Sequence, residues 1–335
     1  MLLACNQDTL QQFYVDSPLI EEAREVLYQL PRLANMWAVI QKPTSLPTMA
    51  LPNLVSIDIE YDGDLNWLQG FRGATLGGLG LVVFRTGANV IGDPLGAFES
   101  VALTTSAKDT LLGFRFFTSR PWNPNYSALL SFNQLKEVEI VFSCGGGCSS
   151  RVDDDTIIDL ARGMPKLEVL QLGRTPCQTP TGITVNGLIN LACRCPHLLK
   201  LRIHFQAATL VEAATSATAP SPSDEPAISR KDCALTDLEV GGTPIPARSG
   251  STIAHILLQI FPHILNIKYT NHEWKLVAET VKDFRRIGGF VHRSSKTPIT
   301  LHLTTDTIVM PCQKTQSIIR TPVGGWSTRR PCYRP

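Results

Sequence analysis

MPKLEVLQL (Met164–Leu172) and CPHLLKLRI (Cys195–Ile203) decide how this chain folds. In each, an apolar residue and a proline precede a leucine, and aliphatics return three and five positions later. The triplets are Leu167, Leu170 and Leu172, then Leu198, Leu201 and Ile203. Such spacing fits a short strand, where alternate side chains share one face. The stretch before the first triplet predicts a helix over Asp153 to Met164. Asp153, Asp154 and Asp155 stand where a helix amino end favours negative charge. Ile157, Leu160, Ala161 and Met164 follow at helical spacing, and Gly163 and Pro165 suit the stop.

Working outward, the same triplet recurs along the chain. It is seen at Leu54/Ile57/Ile59, Leu79/Val82/Phe84, Leu111/Phe114/Phe116, Leu135/Val138/Ile140, Leu235/Leu238/Val240 and Ile264/Ile267/Tyr269. Leu33/Met36/Ala38 is a weak first copy. The interval between first positions runs from 21 residues (Leu33 to Leu54) to 37 residues (Leu198 to Leu235). Leucine-rich repeats have periods of about 20–29 residues, so the longer units here must carry a full helix. One unit buries about six apolar side chains, too few to offset the entropy of ordering its own backbone. Copies must therefore stack. The expected fold is an α/β leucine-rich-repeat solenoid with irregular long repeats, a parallel sheet on the concave face and helices on the convex face.

Residues 1–16 read as a lead-in and 17–287 as the solenoid. Ser17 to Leu30 is expected to be an amphipathic helix, with Ile20, Ala23, Val26, Leu27 and Leu30 on one side. Residues 207–231, rich in Ala, Ser, Thr and Pro, read as a flexible insertion. Trp274 to Ile287 is expected to be a closing helix whose apolar side is Leu276, Val277, Val281 and Phe284. Residues 288–335 form a basic, Thr-rich tail expected to be poorly ordered, with one further strand conceivable at ITLHLTTDTIVM (Ile299–Met310).

Composition sets the function classes. The chain has 335 residues, 43% apolar and 18% charged, with a net charge of +2. This is ordinary for a folded domain, and the net charge gives no case for nucleic acid. No run approaches the roughly 18–20 apolar residues of a membrane span, and the amino end lacks a secretory pattern. Cysteines scattered without a framework fit reduced thiols, hence a cytoplasmic or nuclear location.

The combination VDDDTIIDLARGMPKLEVLQL and GLINLACRCPHLLKLRI resembles the divergent leucine-rich repeats of fungal F-box proteins. The resemblance spans roughly Leu30 to Ile287. Its most specific element is the apolar–Pro step before each strand, at Leu51-Pro52, Met164-Pro165, Cys195-Pro196 and Phe261-Pro262. Membership would imply a substrate receptor: an F-box docks on the adaptor of a cullin-RING ubiquitin ligase, and the repeats hold the protein to be modified. Residues 1–50 lack the Leu-Pro opening of an F-box, so the adaptor is expected as a partner only if such a module lies upstream. Without it, the expectation is a stand-alone interaction scaffold.

A solenoid's inner surface is its usual binding face. The positions between the buried aliphatics form two expected rows. One runs Asp58, Val83, Arg115, Glu139, Gln171, Arg202, Glu239, Lys268. The other includes Glu60, Arg85, Phe117, Val141, Gly173, His204, Gly241 and Thr270. Partner-binding candidates are Arg115, Phe117, Glu139, Gln171, Arg202, His204, Glu239 and Lys268. Arg202, His204 and Phe117 lead, since Arg and aromatic groups dominate interface energetics. The alternating signs also fit a self-neutralising ladder.

Chemistry beyond binding finds no foothold. Cys144 and Cys148 around three glycines, and Cys193 and Cys195 beside His197, do not assemble four converging zinc ligands. The glycine run lacks the Lys-Ser/Thr ending of a phosphate loop, and the glycines near 77–80 read as a turn into a strand. No nucleophile–base pair stands out. The expectation is a non-enzyme with no cofactor and no metal.

Overall fold

A computed structural model of the chain describes residues 9–41, 53–62, 77–83, 107–118, 126–142, 152–173, 181–215 and 233–294. The chain divides into two units, Met1–Phe290 and Val291–Pro335. The first unit holds the sheet and its helices; of the second, only the end of one helix is described.

The strands are β1 (Gln12–Pro18), β2 (Asn35–Gln41), β3 (Ser56–Asp62), β4 (Gly78–Val83), β5 (Gly113–Thr118), β6 (Glu137–Phe142), β7 (Val169–Leu172), β8 (Lys200–Arg202), β9 (Asp237–Gly241) and β10 (Asn266–Tyr269). They form one sheet in strict chain order, and each neighbouring pair is parallel. The helices are α1 (Glu21–Tyr28), α2 (Ala107–Thr110), α3 (Asp154–Gly163), α4 (Val185–Arg194), α5 (Ala207–Thr215), α6 (Gly250–Ile260) and α7 (Trp274–Ser294), with a 3-10 helix at Tyr126–Ser131. Parallel strands taken in chain order, each joined to the next by a crossover, make a solenoid-like α/β architecture. The apolar residues of the triplets supply the strand half of its core: Ile57, Phe114, Val138, Leu170, Leu201 and Leu238 are all at most 1% exposed. They join Ile157, Leu160, Leu188, Leu191, Ile253, Leu257 and Val277 from the helices in one hydrophobic cluster.

The apolar–Pro step has a physical explanation. Met164, Cys195 and Phe261 each end a helix with nearly the same backbone (φ −128°, −115° and −122°; ψ 66°, 73° and 79°). Each N–H donates the last helical bond, to Leu160, Leu191 and Leu257. Each carbonyl then accepts from the triplet's first residue, in Leu167→Met164 (3.2 Å), Leu198→Cys195 (3.1 Å) and Ile264→Phe261 (3.2 Å). Proline suits the second position of such a turn, because its φ is preset and no donor is needed there. Leu33→Leu30 and Leu135→Phe132 repeat the closure, the latter without proline.

A second device joins unit to unit. Just before each strand, one carbonyl accepts two successive N–H groups from the next unit. The Lys136 carbonyl takes Glu168 (2.7 Å) and Val169 (2.9 Å), and the Glu168 carbonyl takes Leu199 (2.7 Å) and Lys200 (3.1 Å). The pattern runs unbroken from the Gln11 carbonyl to the Thr236 carbonyl. Side chains add to it between α3 and α4. Asp153 caps its own helix, accepting from the Thr156 N–H at 3.0 Å. Asp154 reaches the neighbouring helix, accepting from Thr184 N–H (2.8 Å), Thr184 Oγ1 (2.5 Å) and Gly187 N–H (3.1 Å).

Several expectations need correction. The sheet starts one strand before the first triplet, since Gln12–Pro18, placed mostly in the lead-in, pairs with β2. The helix expected over Ser17–Leu30 is shorter, Glu21–Tyr28, with Ser17 and Pro18 in β1; Ile20, just before it, is exposed, while Leu27 within it and Leu30 just after it are buried. Ala207–Thr215, assigned to the insertion, is helical and buries Leu210; the remainder of that segment, 216–231, lies outside the described residues. The closing helix runs past Ile287 to Ser294. Its buried side is Trp274, Val277, Ala278 and Val281, while Leu276 and Phe284 are exposed. Trp274 donates Nε1–H to the Thr243 carbonyl at 2.7 Å, a hydrogen bond that the apolar pattern alone does not reveal. The tail beyond Ser294, with the strand conceived at Ile299–Met310, lies outside the described residues.

Candidate partner-binding face

Residues alternating with the core aliphatics point to the other side of the sheet. Register aligns Tyr14, Trp37, Asp58, Gly80, Arg115, Glu139, Gln171, Arg202, Glu239 and Lys268 in one row. Six of the eight expected binding residues stand in this row, and all six retain solvent access: Arg115 and Lys268 are exposed, and Glu139, Gln171, Arg202 and Glu239 are half-exposed. Phe117 is half-buried in the next row, between Val82 and Val141.

His204 departs from expectation. It is 7% exposed, and its ring Nε2 is buried with no hydrogen-bond partner among the described residues. Burial, seconded by the Arg202 charge, pushes its pKa below the usual imidazole value. A neutral, buried ring is not a contact offered to a partner. His204 lies beyond β8, which ends at Arg202, so the strand frame did not fix its surroundings.

The first row also needs one substitution. The stretch LGGLGLVVF (Leu76–Phe84) fits the triplet in two frames. Pairing selects the earlier one: Leu79 aligns with Ile57 and Phe114. Gly80, not Val83, therefore stands between Asp58 and Arg115. Gly78 and Gly80 lie within β4 rather than in a turn before it. In the second row, Val82 pairs with Glu60; Arg85 lies outside the described residues.

The charges are organised in pairs. Arg115 binds Glu137 at 2.8 Å and reaches Glu139 at 3.7 Å. Burial works against the Arg115 charge, but Glu137, Glu139 and Asp58 outweigh it and raise the pKa. Arg202 pairs with Glu239 at 3.0 Å, and Lys136 with Glu168 at 2.8 Å. Partly exposed pairs of this kind contribute about 0–1 kcal/mol each, so they shape the face more than they stabilise it. Glu137 was missed from sequence because it sits diagonally, two residues upstream of Glu139 in the flanking row.

Two aromatic residues were also missed. Tyr14 and Trp37 stack with centroids 4.4 Å apart and planes 16° apart, and Tyr14 is 71% exposed. Trp37 lies between Met36 and Ala38, the same slot that Arg115 and Arg202 fill in their triplets; that slot was the available signal.

Between Asp58 and Arg115 the row carries only Gly80. Beside it, Gly77, Gly78 and Gly113 line a depression of about 430 Å³, with Val55 and Leu112 also in its wall. The Asp58 carboxylate leans into the space above Gly80, where any side chain would collide with it. Burial raises the Asp58 pKa, and the Arg115 charge only partly offsets this.

Among the described residues the cysteines belong to no metal-ligand cluster. Cys195 and Cys233 are buried, and burial pushes the Cys195 thiol up to about 12. Cys195 Sγ lies 3.8 Å from the Met164 carbonyl, and Cys233 Sγ 3.8 Å from the Cys195 carbonyl. They are small apolar residues in the core. Cys144 and Cys148 lie outside the described residues. Among the described residues no group of three or more His, Cys, Asp or Glu could hold a metal ion, and no helix is long and apolar enough to cross a membrane.

No protein-family model matches this chain, and no curated protein does so.

Proposed function

We propose that the chain is a protein-recognition scaffold whose coils are leucine-rich repeats and whose solvent-facing side of the sheet holds the partner. One observation carries the reading: a row of charged, amide and aromatic side chains, contributed by nine of the ten strands (Gly80 is the β4 member), keeps solvent access on the sheet face opposite the core. Interfaces draw on Arg and aromatic anchors with a polar surround, and this row supplies Arg115, Arg202, Tyr14 and Trp37.

The test is site-specific photocrosslinking in cells of the source organism. A crosslinker at Gln171 or Lys268 is expected to capture a discrete protein, while one at Asp159, on exposed α3, captures none. Equal labelling from both positions, or no adduct from the sheet face, would overturn the reading.

The resemblance to fungal F-box repeats extends the proposal to a substrate receptor of a cullin-RING ligase. A pull-down with the cullin adaptor, using the chain from its natural start, separates this from a stand-alone scaffold. Stable association supports the ligase reading. Its absence, with sheet-face crosslinks retained, supports the scaffold alone.

A further inference from the structure

We propose that the depression at Asp58, beside the Tyr14–Trp37 stack, is the anchoring pocket for an arginine or lysine side chain on a basic segment of the partner protein. The inference rests on the protein-recognition reading above and adds a location and a chemistry to it.

The first argument is charge. The lining carries three carboxylates, Asp58, Glu137 and Glu168, against two cations, Arg115 and Lys136. Both cations are engaged elsewhere. Arg115 is drawn towards β6 by Glu137 and Glu139, and Lys136 is held by Glu168. Among the described residues, Asp58 is left with no hydrogen-bonding partner, only the more distant field of Arg115. A partly desolvated carboxylate facing an open space is a receptor for a charged donor.

The second argument is shape. Gly77, Gly78 and Gly113 line the depression and offer no side chain that would fill it. The depression of about 430 Å³ has room for a long, unbranched side chain. An alkyl stem would lie on the glycine backbone and against Val55 and Leu112, which are 53% and 45% exposed. Long cationic side chains bury their stems in this manner while the head finds a counter-charge.

The third argument is the neighbouring ring. Trp37 is Asp58's register partner on the other side, and Tyr14 stacks on Trp37 from β1. A carboxylate beside an indole suits a cation, which the ring's quadrupole also attracts. Elsewhere on this face Arg202 meets Glu239, and Asp237 accepts hydrogen bonds from Asn266 and Thr236.

The test is fluorescence anisotropy with fluorescein-labelled hexa-arginine, hexa-glutamate and a Gly–Ser peptide of the same length, titrated with the full chain at physiological salt. Saturable binding of hexa-arginine alone is expected. Asp58→Asn should weaken it about tenfold, as loss of a charged hydrogen-bond acceptor does. Trp37→Leu should weaken it about threefold, and Asp237→Asn should leave it unchanged. Circular dichroism and thermal melting verify that each variant folds; an unfolded Trp37→Leu leaves Asp58→Asn as the deciding measurement. No saturable binding, preferred binding of hexa-glutamate, or an Asp58→Asn affinity equal to the parent's overturns the pocket. Binding weakened by Asp237→Asn but not by Asp58→Asn also overturns it, while leaving the face as a protein-binding surface. Failure of the broader reading is seen separately, in the absence of crosslinks from Gln171.

Discussion

Asp154 and Gly187 form the sharpest test of how the coils hold together. The Asp154 carboxylate accepts three hydrogen bonds from the start of α4, while any Cβ at Gly187 would run into Asp154 Oδ1. Asp154→Ala leaves the Thr184 and Gly187 N–H groups without that acceptor. Losing a helix cap costs about 0.5–2 kcal/mol, and a hydrogen bond to a charged group about 1.5–3 kcal/mol. Asp154 and Thr184 are half-exposed, so water recovers part of the loss, and about 2 kcal/mol is expected. Gly187→Ala alone should cost about 1–3 kcal/mol from overpacking. In the double variant the carboxylate is gone, so alanine meets only Ile183 Cγ2 at 3.2 Å, and its better helix propensity offsets that contact. The double variant should therefore be about as stable as Asp154→Ala alone, giving a coupling of at least about 1 kcal/mol. The assay is urea unfolding followed by circular dichroism, with amide exchange of the first turn of α4 as a local readout. Effects that add to within about 0.5 kcal/mol, or an Asp154→Ala loss below that size, would refute the reasoning.

Three other expectations come from the same packing. Leu170→Ala, at a side chain with 0% exposure inside the cluster, should cost about 2–5 kcal/mol by cavity formation, read from the urea midpoint. Hydrogen bonds from the Thr156 N–H and then its hydroxyl lower the Asp153 pKa, so its contribution is present above the unfolded-state value near 3.8 and disappears as pH falls through the lower folded value; Asp153→Ala should lose about 1 kcal/mol at neutral pH and show a flatter acid profile. Burial lowers the His204 pKa, so the unfolded state takes up the proton first, and stability should decline as pH drops from about 6.5 through the folded value; thermal melts of His204→Gln should lack this component.

Much of the architecture was written locally. A triplet with period-two aliphatics needs only its own unit to state which side of a strand is greasy, and the apolar–Pro step needs only its own turn. Frame and closure were harder to read. LGGLGLVVF is apolar at nearly every other position in either frame, and only pairing with Ile57 and Phe114 separates the two. β1 was overlooked although Leu10, Phe13 and Val15 repeat the triplet spacing and pack against the core; no helix-like stretch precedes that copy to mark it, and pairing with β2 establishes its place. The row from Arg115 to Lys268 was legible because register in a parallel stack follows the triplets. The burial of His204 and the diagonal salt bridge from Arg115 to Glu137 depend on side chains from other segments, which no local pattern encodes.

The unbroken forked-carbonyl ladder sets a length scale for whatever docks. Ten parallel strands at a lateral spacing of about 4.8 Å put the outermost ones about 43 Å apart. A fully extended segment needs about 13 residues to traverse that distance, and a helix laid the same way needs about 29. A short linear motif would thus engage only a few coils, and different ligands could occupy separate stretches of the same ruler at once.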